Sequence, residues 1–350
     1  MALPVYGLAM IVKNGEATLR ACLESAKPHI GYWTISDTGS TDGTKAIIAD
    51  VLGDIPGRLF DLPFLNFGHN RSEVFVAAHG MSQWILALDA DMTVEIEDGF
   101  APDPECDAAM IEMRDSGLSW RLPLVLRGDL PWKSIGPVHE YTALSNGKPY
   151  RGVPTDAIRV QFPPTQSSPS KRHWHAGLLE EELTRQPFDA RSTFYLAQTY
   201  RELGDPRARD LYVKRSLMDS GPEAWYAAYR AALLTDWPAR AAELMAAWER
   251  WPARLEPLYY LMRDLNEHGC HRAAYQLAIE PGEPPEALFV EPGCWDWGIA
   301  FERSVAAWYV GHRDEARQLS EALLANPRLP ATVRAAVTRN LAFMPREEAA

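Results

Sequence analysis

A chain of 350 residues exceeds one ordinary core and suits two domains, since domains usually run to roughly 100–200 residues. Its 47% hydrophobic and 23% charged residues are globular averages, which excludes a disordered or fibrous chain. A formal net charge of −12 argues against the nucleic-acid backbone as a partner.

No apolar stretch approaches the ~18–20 residues of a membrane helix, so no membrane span is expected. The first residues, MALPVYGLAMIVKNG, lack a basic lead-in and a small-residue cleavage site, so no secretory signal is expected. Cys22, Cys106, Cys270 and Cys294 are scattered and form no CxxC pair. That spacing argues against zinc and against a disulfide framework, and points to a reducing cytoplasm.

From Pro4 to about Val160, short apolar strands alternate with helical stretches. Strands are predicted at Val5–Val12, Trp33–Ser36, Leu59–Phe60 and Trp84–Leu88, with helices at Gly15–Lys27, Thr41–Leu52 and Asn70–Met81. Strand, helix, strand at this spacing implies a parallel sheet with crossover helices. Further strands are expected at Ala108–Met113 and Leu122–Arg127, and FPPTQSSPS (Phe162–Ser170) reads as a linker.

Beyond the linker no segment reads as a strand. Amphipathic helices are predicted at Leu178–Arg185, Ala190–Leu203, Arg207–Met218, Glu223–Leu234 and Ala239–Trp251. Others follow at Leu255–His268, Cys270–Ile279, Cys294–Val310, Arg313–Ala325 and Ala331–Phe343. Thr193–Met218 has tetratricopeptide spacing, its small and aromatic residues Ala197, Tyr200, Gly204, Ala208 and Tyr212 allowing close helix packing. The expected organisation is therefore α/β followed by all-α, divided as 1–165 and 166–350.

Two motifs stand at strand ends. In SDTGSTDGT (Ser36–Thr44), Asp37 emerges at the carboxyl edge, where open α/β sheets bind ligands. A carboxylate there can accept hydrogen bonds from a nucleobase imide or a ribose hydroxyl; the plainer reading is a turn whose Thr41 or Asp42 caps a helix. In LALDADM (Leu86–Met92), Asp89 and Asp91 end an apolar strand. On extended backbone, residues i and i+2 share a side, so these carboxylates converge and call for a cation or proton between them. All-oxygen ligands suit Mg²⁺ or Mn²⁺ clamped on a diphosphate.

MIVKNGEATLRACLES, SDTGSTDGT, FLNFGHNRSEV and WILALDADM, in this order, resemble the nucleotide-binding half of a family 2 glycosyltransferase with the GT-A (Rossmann-like) fold. The subgroup it most resembles carries helical tetratricopeptide-like (TPR-like) repeats behind that domain. The likeness covers about residues 4–165, with weaker support to about 220. It implies sugar transfer from a nucleotide-diphosphate donor, usually with inversion. It places Asp37 at uracil or ribose, and Asp89 and Asp91 around ribose, diphosphate and metal, with Asp91 the more direct ligand. It also places Lys13 and Asn14 where the first loop passes the nucleotide, and Arg71 near base or phosphate. Met92, where relatives often have an acidic residue, and Ser36, where an aliphatic one is usual, depart from the pattern and leave donor details open.

WKSIGPVHEY (Trp132–Tyr141) sets His139 beside Glu140 after a Gly-Pro turn, on a segment read as extended, where neighbours face opposite ways and do different jobs; relatives with repeat domains often show a similar VHE. Glu140 is the candidate base for the acceptor hydroxyl and His139 a further metal ligand or phosphate contact. The plainer reading has His139 capping a turn and Glu140 pairing with Lys133 or Arg121. Asp129, in RGDLPW, is the competing base, and Trp132 and Trp120 are candidates for stacking on a sugar. SPSKRHWHAG (Ser168–Gly177) offers Lys171 and Arg172 to the donor diphosphate from a segment ahead of the helix expected at Leu178.

The reading is a cytoplasmic, Mn²⁺- or Mg²⁺-dependent, inverting glycosyltransferase. Its donor is expected to be a nucleotide-diphosphate sugar (UDP-linked) and its acceptor a polypeptide or saccharide hydroxyl, with the repeats supplying a groove. Self-association through the Trp-rich helices is left open. The rivals are a nucleotidyltransferase, which normally has a more glycine-rich first loop than VKNGEA, and a TPR-type binding module with an inactive first domain.

Overall fold

The computed structural model describes residues 3–115, 118–163, 168–285, 287 and 289–344. The chain divides into two compact units, Met1–Arg185 and Gln186–Ala350. Of the expected linker, residues 164–167 lie outside the described residues.

The first unit runs β1 (Tyr6–Val12), α1 (Leu19–Ala26), β2 (Ile30–Asp37), α2 (Thr44–Leu52), β3 (Gly57–Asp61), α3 (Phe67–Ala78) and β4 (Trp84–Ala87). Then come β5 (Thr93–Ile96), β6 (Ala108–Asp115), β7 (Leu118–Arg127), β8 (Trp132–Ile135), β9 (Tyr141–Leu144), β10 (Gly152–Thr155), β11 (Ile158–Gln161) and α4 (Pro169–Arg185). Seven strands form a mixed sheet in the order β10-β6-β7-β4-β1-β2-β3. β1 is parallel to β2 and β4, and β2 to β3, whereas β7 is antiparallel to β4.

β1 is buried along its whole length, as a central parallel strand must be. Its alternate side chains serve two cores. Leu8, Met10 and Val12 pack with Leu19, Leu23, Ile48 and Leu52 of α1 and α2. Ala9 and Ile11 pack with Val74, Phe75 and Ala78 of α3. Between β1 and β4 the strand order reverses direction, the switch point where the carboxyl edge of such a sheet opens into a crevice.

The predicted parallel core stands. Strands β5 and β8–β11, each of four residues, go beyond the sequence prediction; such runs are too short for periodicity to register. α4 corrects another expectation: helix begins at Pro169, so the basic run is its first two turns, packed in the first unit.

The second unit holds α5 (Ala190–Leu203), α6 (Arg207–Ser216), α7 (Pro222–Leu233), α8 (Ala239–Arg250), α9 (Glu256–Glu267) and α10 (His271–Leu277). A π-helical turn at Cys294–Gly298 leads into α11 (Ile299–Val310), followed by α12 (Arg313–Ala325) and α13 (Ala331–Ala342). Each helix packs on its sequence neighbours, and α9 also on α11. Gly204, left-handed at φ 70°, closes α5, with Asp205 N donating to Tyr200 O. Phe194, Ala197 and Tyr212 pack on Trp225 and Tyr229, so the small-aromatic pattern of Thr193–Met218 is inter-helix packing. Among the described residues no helix is long and apolar enough to cross a membrane.

Candidate active site at the carboxyl edge of the sheet

The loops after β1 and β2 are laced together. Asn14, left-handed at φ 50°, donates its backbone N–H to Ser40 Oγ (2.8 Å) and accepts at Oδ1 from Thr41 N (2.8 Å). Glu16 N donates to Asp42 Oδ2 (3.1 Å), and Gly43 N to Glu16 Oε2 (3.2 Å). Asp42 Oδ1 accepts from Thr44 N and Oγ1 in a turn ahead of α2, whose N-cap is Gly43, so neither Thr41 nor Asp42 is the capping residue. Asn14 thus joins two loops, with its carbonyl committed to Thr41, while Lys13 beside it is exposed.

Asp37, closing β2, is fully buried. Its Oδ1 accepts from Gly39 N and Ser40 N, both at 2.7 Å. Its Oδ2 is buried with no hydrogen-bond partner. A carboxylate oxygen held dry and unpaired costs on the order of 1–3 kcal/mol, which a donor group on a bound ligand would offset.

The stretch after β4 corrects the extended geometry expected of the aspartates. Met92 N donates to Asp89 O (3.0 Å), so Asp89-Ala90-Asp91 is a turn. Asp89 reaches Arg71 of α3, whose Nη2 donates to its Oδ1 at 2.7 Å. The same guanidinium donates through Nε to Glu140 Oε1 at 3.0 Å. Part of the positive charge that the acidic pair calls for is therefore Arg71 itself. Burial opposes a charge there, yet attraction to Asp89 and Glu140 outweighs it and raises the Arg71 pKa. Asp91 is raised by burial and then by Asp89, with Lys171 acting the other way. Cys22, pushed up to about 12 by burial with Asp89 and Asp91 adding, stays a thiol and donates to Asp89 O (3.5 Å).

Glycines fix α3 against the Gly-Pro turn. Phe67 N donates to Pro137 O and Gly68 N to Gly136 O, each at 3.1 Å. Gly136 sits at φ 115° and His139 at φ 51°, so the segment ahead of Glu140 is a turn, where an extended run is expected. The partner of Glu140 is Arg71, in place of Lys133 or Arg121.

Lys171, Trp174 and His175 on α4 join this edge, Lys171 acting on the charge of Asp91. The Trp174 ring lies 5.3 Å from Phe64 and 5.7 Å from Phe67, and His175 lies 5.4 Å from Trp174 and 5.9 Å from His139. The half-buried Arg172 lies on the same helix. The contacts of Trp174 with Phe64 and Phe67 escape a linear reading because they join positions over a hundred residues apart.

Asp129 is not brought to this edge. β7 runs antiparallel to β4, with Arg127 opposite Trp84, so Asp129 falls at the start of β4, whereas Asp89 follows its end. There Asp129 is 74% exposed and paired with Arg127. Trp132 is buried, its Nε1 donating to Arg127 O, which removes it as a stacking surface, and Trp120 packs on Phe162. Among the described residues no three His, Cys, Asp or Glu side chains gather to hold a metal ion.

No protein-family model matches the chain. It is 26% identical over 280 residues to a TPR repeat-containing protein of Synechococcus elongatus, covering 73% of this chain and 67% of that protein. Among solved structures it is similar to S. aureus TarS residues 1–349 in complex with UDP-GlcNAc: 14% identity, TM-score 0.31, 88% of this chain and 92% of that one. It is also similar to MamA, at 18% identity and TM-score 0.35, over 49% of this chain and 92% of that one. At these identities and TM-scores the structural likenesses decide no function.

Proposed function

We propose that the first unit is a glycosyltransferase of the GT-A type, moving a sugar from a nucleotide-diphosphate donor to an acceptor hydroxyl. The observation that carries this reading is the meeting of Asp37, Asp89, Asp91, Arg71 and Glu140, from separate segments, at one carboxyl edge around the β1/β4 switch point. The ordered motifs that resemble family 2 glycosyltransferases add to it. The ends of β4, β1 and β2 lie within ~10 Å, two strand spacings, which suits a nucleoside diphosphate laid across them.

In this reading Asp37 Oδ2 accepts from the base or ribose. Asp91, with Asp89 beside it, fits a divalent ion of the Mg²⁺ or Mn²⁺ kind, which is commonly held by one or two carboxylates plus substrate phosphates. Such an ion supplies neutralisation of the leaving diphosphate. Lys171 adds fixed positive charge on the same side. Glu140 takes the acceptor's proton as the acceptor oxygen bonds to the anomeric carbon. The bond from that carbon to the diphosphate breaks, and its electron pair leaves with the nucleotide. Arg71 holds Glu140 and Asp89 in register throughout, a positioning role distinct from contact with base or phosphate.

A second reading keeps the helical unit as a TPR-type protein-binding module, in line with its successive neighbour-packed helices and with the name of the Synechococcus protein. Calorimetric titration of the full chain with UDP, with and without Mn²⁺, separates the two. Metal-dependent binding abolished in Asp91→Ala supports the transferase; absence of nucleotide binding leaves the module alone.

A further inference from the structure

Beside Glu140 lies an aromatic surface with no role in the donor scheme. Phe64 and Phe67 stand edge to face at 5.2 Å, and Trp174 covers both. Trp174 is nevertheless 45% exposed, so its outer face is open while its inner face is packed. An indole fixed in this way costs little entropy to use as a platform. His175 continues the surface: its ring packs on Trp174 and Phe67 and meets His139, the residue before Glu140. His175 Nε2 is buried without a hydrogen-bond partner, which is a second and polar sign of a missing ligand. Burial, with Lys171 one turn away adding, lowers the His175 pKa.

We propose that Trp174, backed by Phe64 and Phe67 and flanked by His175, is the acceptor subsite, and that it takes a pyranoside. A pyranose offers an apolar C–H face to an indole and a rim of hydroxyls to an imidazole, which matches one open aromatic face bordered by an unpartnered ring nitrogen. Seated there, its rim faces the His139–Glu140 turn. The proposal rests on the transferase reading for the adjacent base, and it narrows the acceptor from polypeptide or saccharide to saccharide.

The test uses the full chain and methyl β-pyranosides of glucose, galactose and N-acetylglucosamine. Ligand-observed saturation-transfer NMR reads binding without any donor. A signal is expected from at least one pyranoside, lost in Trp174→Ala and restored in Trp174→Tyr. In a nucleotide-release assay with the UDP-sugar found active, Trp174→Ala is expected to raise the acceptor KM tenfold or more. UDP affinity of Trp174→Ala, measured alongside, shows whether the variant still folds. A pyranoside signal that survives Trp174→Ala, no signal from any of the three, or an acceptor KM unchanged by the substitution overturns the subsite. Absence of UDP binding in the unaltered chain sinks the transferase reading instead, and leaves the NMR result to be read by itself.

Discussion

Arg71 and Glu140, 69 residues apart in sequence, are joined by a 3.0 Å hydrogen-bonded ion pair, and the same guanidinium holds Asp89 at 2.7 Å. Only 14% of the Arg71 side chain and 15% of that of Glu140 see solvent. Arg71→Ala is therefore expected to leave two carboxylates facing each other with no cation. The expected destabilisation is about 2–3 kcal/mol, below the ~3–5 of a fully buried pair because Asp89 keeps solvent. Arg71→Lys, a point charge in place of a fork, should hold one carboxylate and recover part of the stability. Chemical denaturation at pH 7 checks both.

Glu140→Gln keeps the shape of the site and removes the base. Turnover is expected to fall about 10²–10⁴-fold with UDP affinity unchanged, whereas Asp129→Asn should stay within about twofold. A Glu140→Gln enzyme at full turnover removes Glu140 from the role of base.

Asp91 holds its proton more readily than an ordinary carboxylate, through burial and then the charge of Asp89. A cation must displace that proton. Metal-dependent UDP binding should thus weaken as pH falls through the raised Asp91 pKa, while metal-free binding changes little. Asp91→Asn should abolish the metal enhancement and flatten its pH profile, as read by calorimetry between pH 4 and 8.

Gly68 has no room for a side chain. A Cβ there would lie 2.4 Å from Gly136 O, backbone that cannot swing away. Gly68→Ala is expected to push α3 off the Gly-Pro turn, costing about 2–4 kcal/mol and displacing Arg71, which begins one residue beyond Asn70 on the same helix. Loss of both thermal stability and UDP binding is the expected result; an unchanged melting temperature contradicts the contact.

Glu302, in α11, is raised to about 7 by burial, which outweighs the hydrogen bond from Asn266. Folded, it binds a proton more readily than unfolded. Its contribution to stability is full below its ordinary pKa of about 4.5 and is lost as pH rises from there to about 7. Glu302→Gln is expected to stabilise the helical unit by up to about 3 kcal/mol at pH 8 and by almost nothing at pH 4, measured by denaturant unfolding at both pH values.

Helical periodicity carried far. Helices α5 to α9 and α11 to α13 fall close to where apolar spacing puts them, because each buries a stripe against its sequence neighbour and local pattern suffices. The strands β1 and β4 were equally legible, being apolar runs ended by loop residues. By contrast, the turn at Asp89–Asp91 and the left-handed backbone at His139 have no periodic trace, so extended geometry there was the wrong inference. The helical start at Pro169 was hidden by a Pro- and Ser-rich lead-in that composition assigns to a loop.

By itself the sequence determined the order of the parallel strands and crossover helices from β1 to β4, the change from α/β to all-α, and which carboxylates stand at strand ends, since these follow from patterns within a few residues. Only the tertiary structure decided which charges meet. It sent Asp129 to the far end of β4, gave Arg71 to both Asp89 and Glu140, and set Trp174 over Phe64 and Phe67. Strand direction and crossover length fix such meetings, and neither is written in any one segment of chain.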